Sequence, residues 1–190
     1  MGNREDLLAG AKRCLYEKGY ARTTVRDIAS AAGVSMAAIG YHFGSKEALL
    51  NAALAQANKE WGDELARALA TEIDPGTPPL ERFEAIWTHV IGSMAEHRRL
   101  WAATFDTIGQ VQHVPEIRDR LAEALAEARV GLAEGFGGVE PGAENVWAIG
   151  SFYQALLTGI AAQFLIDPDR VPTGHELAEA LRAITSTTPT

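Results

Sequence analysis

Thr23 to Leu50 reads TTVRDIASAAGVSMAAIGYHFGSKEALL, and three helix-start signals around one glycine turn decide how this stretch folds. A side-chain oxygen just before a helix accepts hydrogen bonds from the first free backbone N–H groups, which makes Thr24, Ser35 and Ser45 N-caps. Asp27, three residues after Thr24, suits the positive end of the helix it opens. Val25, Ile28, Ala29 and Ala32 recur at helical spacing and give that short helix one buried face. Gly33 stops it, because glycine enters the left-handed conformation without steric cost, and Val34 fills the angle behind the turn. Ser35 to Phe43 is then a second helix set at an angle to the first, as in a helix-turn-helix. In such units the second helix lies in the DNA major groove with its N-terminal residues at the base edges.

Around this turn four strings stand in register: EKGY at Glu17 to Tyr20, TVRDIA at Thr24 to Ala29, AAGVS at Ala31 to Ser35, and YHFGSKEALL at Tyr41 to Leu50. From about Leu7 through Leu50 the chain thereby resembles, without gaps, the DNA-binding domain of TetR-like one-component transcriptional repressors. The resemblance implies that Thr24, Arg26, Tyr41, His42 and Lys46 sit at or near DNA phosphates. It also implies that Ser35, Met36, Ala37, Ala38 and Gly40 face the bases. Three positions depart from the family pattern: Met36 stands where relatives often carry lysine or arginine, Gly40 replaces a common aromatic, and Gly44 replaces a common lysine.

No basic residue lies between Arg26 and Lys46, so bidentate guanine reading by arginine is absent from this helix. Methyl contacts from Met36, Ala37 and Ala38 and hydroxyl contacts from Ser35 and Tyr41 take its place. Gly40 costs about 1 kcal/mol of helix stability against alanine. Either its missing side chain lets the backbone approach DNA or the position is under relaxed constraint. Arg22, Arg26 and Lys46 supply about six phosphate contacts in a dimer, so log affinity should fall with log salt at a slope on the order of −5.

Charge divides along the chain. Of 17 Lys and Arg and 25 Asp and Glu in 190 residues, the first fifty positions hold seven and five, leaving ten and twenty for the remainder. An acidic body repels phosphate, which confines nucleic-acid contact to the N-terminal part. Apolar content of 47% is that of a globular chain, and its length allows one small unit and one larger core-bearing unit. The lone Cys14 forms no internal disulfide, suits a reducing cytoplasm, and joins Leu7, Leu8, Ala11 and Leu15 in an apolar stripe that makes it a buried thiol. No charged-then-apolar leader opens the sequence, and no apolar run reaches the roughly 18 residues that span a bilayer. The expected location is cytoplasmic, with no membrane.

Enzyme signatures are missing: no G-x-S-x-G elbow, no H-E-x-x-H pair, no P-loop, and no glycine fingerprint after a strand. His42, His89, His97, His113 and His175 show no paired metal spacing, so neither cofactor nor metal is expected. A helical interaction or small-molecule-binding module that keeps a helix-turn-helix only for packing is the alternative to a DNA-binding regulator.

Beyond Ser45, Leu49, Leu50, Ala53, Leu54, Ala57, Trp61 and Leu65 predict one long connecting helix, weakened at Gly62 and ended by the DPGTPP loop at Asp74 to Pro79. Phe83, Ile86, Trp87, Val90, Ile91 and Met94 form the next apolar face. Leu100, Trp101, Thr104, Phe105 and Ile108 form another, and Ile117, Leu121, Leu125, Ala128 and Leu132 a third; these three helices would enclose the larger core. In the resembled family such helices line an effector pocket, which makes Trp87, Met94, Trp101 and Phe105 candidates for contact with an apolar or aromatic small molecule. The alternative is that they only fill the core.

After the GFGGVEPG loop at Gly135 to Gly142, a helix from about Ala143 to Ile166 carries a small or polar stripe of Ala148, Ser151, Ala155, Thr158, Gly159 and Ala162. Its bulky stripe is Phe152, Leu156, Ile160 and Phe164, and a last helix follows from Thr173 to Ile184. TetR-like proteins dimerise through their last two long helices, so the small stripe is the candidate homodimer interface; close packing within one subunit is the alternative.

The fold class that follows is all-α. Residues 1–48 form a three-helix helix-turn-helix domain, 49–185 a larger helical effector-binding and dimerisation domain, and 186–190 a flexible tail. The function that follows is a homodimeric, ligand-released repressor on a palindromic double-stranded operator.

Overall fold

The computed structural model describes residues 3–74, 76–110 and 115–186. His113, the side chain of Ile117, Pro75 of the predicted loop, and the tail beyond Ser186 lie outside the described residues. Asn3–Lys18 forms α1, Val25–Ala32 α2, Met36–Phe43 α3, and Lys46–Glu72 α4. Pro79–Ser93 forms α5, Arg98–Gln110 α6, Pro115–Gly135 α7, Val146–Ile166 α8, and Gly174–Ser186 α9, with a single 3-10 turn at Pro168–Arg170. No strand occurs among the described residues, so the chain is all-α.

The described residues divide into two compact units: Met1–Trp61 with Arg99–Ala124, and Gly62–Arg98 with Leu125–Thr190. In the first, α1 packs on α2 and α3. Leu7, Ala11, Cys14 and Leu15 of the predicted stripe are buried, with Ile28, Ile39, Leu49 and Leu50. Burial pushes the Cys14 thiol upward in pKa, so it stays a protonated core group. Tyr20 is buried with its hydroxyl donating to Asn51 Oδ1 at 3.0 Å. Desolvation pushes its ionisation up to about 12. From α6, Leu100, Trp101 and Ala103 are buried, and Trp101 meets Trp61 edge to face at 5.0 Å between ring centroids.

In the second unit α5 buries Phe83, Ile86, Trp87 and Val90 and packs against α9. Trp87 is surrounded by rings: Phe83 at 6.1 Å, Phe136 at 6.2 Å, and Tyr153 stacked at 6.5 Å. Phe136 pins the GFGGVEPG segment into the core, since it is buried while its neighbours are not. The crossing of α7 and α8 is tight: a Cβ on Gly150 would collide with the Arg129 carbonyl.

Four expectations are corrected. Ser35 occupies the N-cap position of α3, yet its side chain makes no capping bond; the first turn is closed instead by Ala38 N–H donating to the Ser35 carbonyl at 3.1 Å. The α7 stripe does not enclose a core, because Leu125 is 37% exposed and Ala128 is exposed while Ala133 is buried. The inward side of α7 is set by the backbone contact of Arg129 with Gly150, part of a turn away from that stripe. The three middle helices do not surround one core either, since α6 groups with the first unit. Finally, α8, with 21 residues, is long and apolar enough to cross a membrane by length and composition. Ser151, Gln154, Thr158 and Gln163 interrupt the apolar run but leave the helix apolar on average, and Leu157, Ile160, Ala161 and Phe164 are buried inside the second unit.

Candidate nucleic-acid interface

Local chemistry builds the turn as the sequence predicts. Thr24 Oγ1 accepts from Asp27 N–H at 3.2 Å, and Asp27 Oδ2 accepts from Thr24 N–H at 3.0 Å and from the Thr24 hydroxyl at 2.7 Å. This capping box satisfies donors at both residues that the helix itself leaves unpaired. Lys18 donates to Asp27 Oδ1 at 2.6 Å. Lys18 first, and then the Thr24 bonds, hold the Asp27 carboxyl down at about 2. Gly33 ends α2 with φ of 69°, a left-handed backbone that an L side chain adopts only at a cost. Ser45 caps α4, its hydroxyl oxygen accepting from Ala48 N–H at 3.0 Å.

Ile39 is buried and anchors α3, so the opposite side of that helix faces out. Met36 is 52% and Tyr41 86% exposed, and Ala37 and Gly40 are exposed beside them. Ala38 and His42 are half-buried, with His42 edge to face against Tyr41 at 4.9 Å. Thr24, Val25, Met36, Gly40, Gly44 and Lys46 line one open groove of about 580 Å³. The absent side chains of Gly40 and Gly44, each with open space where a Cβ would stand, leave it wide. The Ser35 hydroxyl has no partner among the described residues.

The basic residues around this face differ in how far the protein already uses them. Lys12 pairs with Glu60 at 2.6 Å and Lys18 with Asp27 at 2.6 Å. Lys46 donates to the Thr23 carbonyl at 3.1 Å and lies 3.4 Å from Glu47. Arg13 donates to the Ala31 carbonyl and Arg22 to that of Lys18. Arg26 is exposed and, among the described residues, unpaired. Arg4 lies over the ring of Phe43, 5.2 Å from its centroid. That last contact was not legible in the sequence, because 39 positions separate the two residues.

The other sequence candidates fall elsewhere. Trp87 and Met94 belong to the second unit and are fully buried, whereas Trp101 and the half-buried Phe105 belong to the first. The indole N–H groups of Trp87 and Trp101 are buried without an acceptor. On α8, Ala148, Ala155, Thr158 and Gly159 are exposed and Ser151 and Ala162 half-buried. Phe152, assigned to the bulky stripe, lies among the exposed residues at 48%.

Comparison with known proteins agrees with this arrangement. Residues 7–53 match the family of bacterial regulatory proteins, tetR family. Residues 79–189, more than half the chain, match the BetI-type transcriptional repressor, C-terminal family. The "Probable HTH-type transcriptional regulator ArpR" of Pseudomonas putida is 29% identical over 176 residues, covering 88% of this chain and 82% of its own. The HTH-type transcriptional regulator TtgR, also of Pseudomonas putida, is 28% identical with the same coverage. The crystal structure of multidrug binding protein EbrR complexed with imidazole superposes with a TM-score of 0.71 at 22% identity, covering 100% of this chain and 98% of that one. A capped helix, a left-handed glycine turn and an exposed second helix at the N-terminus, together with these matches along both halves, place the chain in the TetR family, as a helix-turn-helix transcriptional regulator.

Proposed function

We propose that the chain is a homodimeric repressor that holds a palindromic operator through α3 and Arg26 and releases it when a small molecule binds the helical C-terminal part. The observation that carries the DNA reading is the outward face of α3, where Met36, Ala37, Gly40 and the 86%-exposed Tyr41 are held up by buried Ile39. Ser35 and Tyr41 supply hydroxyls and Met36, Ala37 and Ala38 apolar contacts at the base edges. Thr24, Arg26, His42 and Lys46 flank them as phosphate contacts that fix the register.

Dimerisation is supported by the exposed row of Ala148, Phe152, Ala155, Gly159 and Ile166 on α8, an apolar surface without charge. Identical surfaces pair about a two-fold axis, which sets two copies of α3 on two half-sites. Release requires a ligand with different affinities for the two dimer geometries. Within the second unit, the unpartnered indole N–H of Trp87 favours an aromatic or apolar ligand that also carries a hydrogen-bond acceptor, with the buried Met94 of the same unit as an apolar neighbour.

Selection of bound sites from random duplex DNA with the purified protein tests this reading. An enriched palindrome with half-site centres about 10 base pairs apart, or a multiple of that, is the expected result. A single asymmetric half-site would contradict the dimer, and no enrichment at all would contradict the DNA-binding role.

A further inference from the structure

Seven basic residues occupy the first fifty positions, and the structure leaves just two of them, Arg4 and Arg26, without any hydrogen bond or carboxylate partner among the described residues. Arg26 belongs to the interface already drawn. Arg4 stands in the first turn of α1, where the positive end of the helix disfavours a cation. Yet its guanidinium is held in place, 5.2 Å from the centroid of the Phe43 ring. Phe43 is the last residue of α3, so the fold delivers this cation to the end of the helix whose other exposed residues are the proposed base readers.

A guanidinium lying over an aromatic face keeps its in-plane N–H donors free, and stacking restricts the side chain before any partner arrives. Such a group is prepared for a planar, two-pronged contact with a phosphate. A structural role is the competing account, since a cation near the carbonyls that end α3 also favours that helix. The free donors distinguish the two, because a purely structural arginine in this region donates to a backbone carbonyl, as Arg13 does.

We infer that Arg4, positioned by Phe43, is an additional DNA-backbone contact that strengthens binding without reading sequence. The inference rests on the proposed DNA-binding role. It raises the phosphate contacts of a dimer from about six to about eight, and the slope of log affinity against log salt from about −5 to about −7.

The test compares wild type, Arg4→Gln, Arg4→Lys and Arg26→Gln on a selected operator and on unrelated duplex DNA between roughly 0.05 and 0.3 M salt, the range over which phosphate contacts dominate affinity. Thermal unfolding of each variant separates binding from folding. Arg4→Gln should bring the slope back to about −5 and weaken both DNAs alike, by roughly thirtyfold at about 0.15 M salt if the two curves meet near 1 M. Arg4→Lys, which keeps the charge, should retain the wild-type slope. If Arg4→Gln keeps the wild-type slope and affinity while Arg26→Gln loses them, the role of Arg4 is overturned and the DNA interface stands. If wild type itself shows no preference for any duplex, the DNA-binding reading fails first.

Discussion

Asp27 and Thr24 hold each other at the start of α2: the carboxylate accepts from the Thr24 N–H at 3.0 Å, and the Thr24 hydroxyl oxygen accepts from the Asp27 N–H at 3.2 Å. Replacing Thr24 by alanine should cost about 1 kcal/mol of stability. The pair also sets a pH dependence. The Asp27 carboxyl is lowered from 3.8 to about 2, chiefly by Lys18 and then by Thr24. A lowered value means that folding favours the ionised form, so this stabilisation is complete well above pH 3.8 and disappears as pH falls toward 2. Asp27→Asn should therefore narrow the gap between unfolding temperatures at about pH 7 and about pH 3; an unchanged gap would remove Asp27 from the account.

Gly40 lies in a helix with open space where a Cβ would stand. Gly40→Ala should raise helix stability by about 1 kcal/mol, seen as a higher melting temperature. If the backbone there approaches DNA, operator affinity should drop in the same variant. Higher stability with unchanged affinity would favour relaxed constraint at this position.

Tyr41 and Lys46 should fail in different ways. Tyr41 is 86% exposed, so Tyr41→Ala should move stability by less than about 0.5 kcal/mol while changing which sequences are enriched. Lys46→Ala should weaken all duplexes alike and reduce the salt slope by about 2 in a dimer. Identical enrichment profiles for wild type and Tyr41→Ala would show that α3 is not the reading helix.

Trp87 keeps a buried indole N–H without an acceptor inside an aromatic cluster. Trp87→Phe keeps an aromatic ring at the site but leaves a small cavity, and should cost about 2 kcal/mol of stability. Response to an identified effector, measured as ligand-driven release of operator DNA, should be lost or weakened. A full response would assign Trp87 to the core alone.

Ala155 is exposed on α8, and arginine there should leave the protomer folded while blocking close approach of a second α8. Light scattering should report a monomer, and operator affinity should fall by about 10²- to 10⁴-fold as the two half-sites lose their linkage. A dimer that survives Ala155→Arg would move the interface to another surface.

Most of the DNA-binding unit is legible in the sequence because its signals are short-range. The Thr24 cap, the Gly33 turn and the Ser45 cap each act within about four residues, and periodic apolar residues mark which helix face is buried. Ser35 shows where local reading ends, since a residue of the right type at the right position was bypassed by a backbone bond of Ala38. The α7 stripe shows the same limit at longer range: Leu125 and Ala128 repeat correctly but face outward, because the contact of Arg129 with Gly150 sets which side of the helix is covered.

Helical character, the starts and stops of the N-terminal helices, and the turn at Gly33 that joins two helices of a DNA-binding unit are written in the order of residues, since caps, glycine conformation and period are properties of neighbouring residues. Tertiary structure alone decided which cations stay free, bringing Arg4 onto Phe43 and tying Lys46 to the Thr23 carbonyl. It also decided that Trp101 packs with Trp61 while Trp87 joins Phe83, Phe136 and Tyr153. Those outcomes depend on where helices cross, and a crossing is fixed by packing among residues far apart in the chain, which no local pattern encodes.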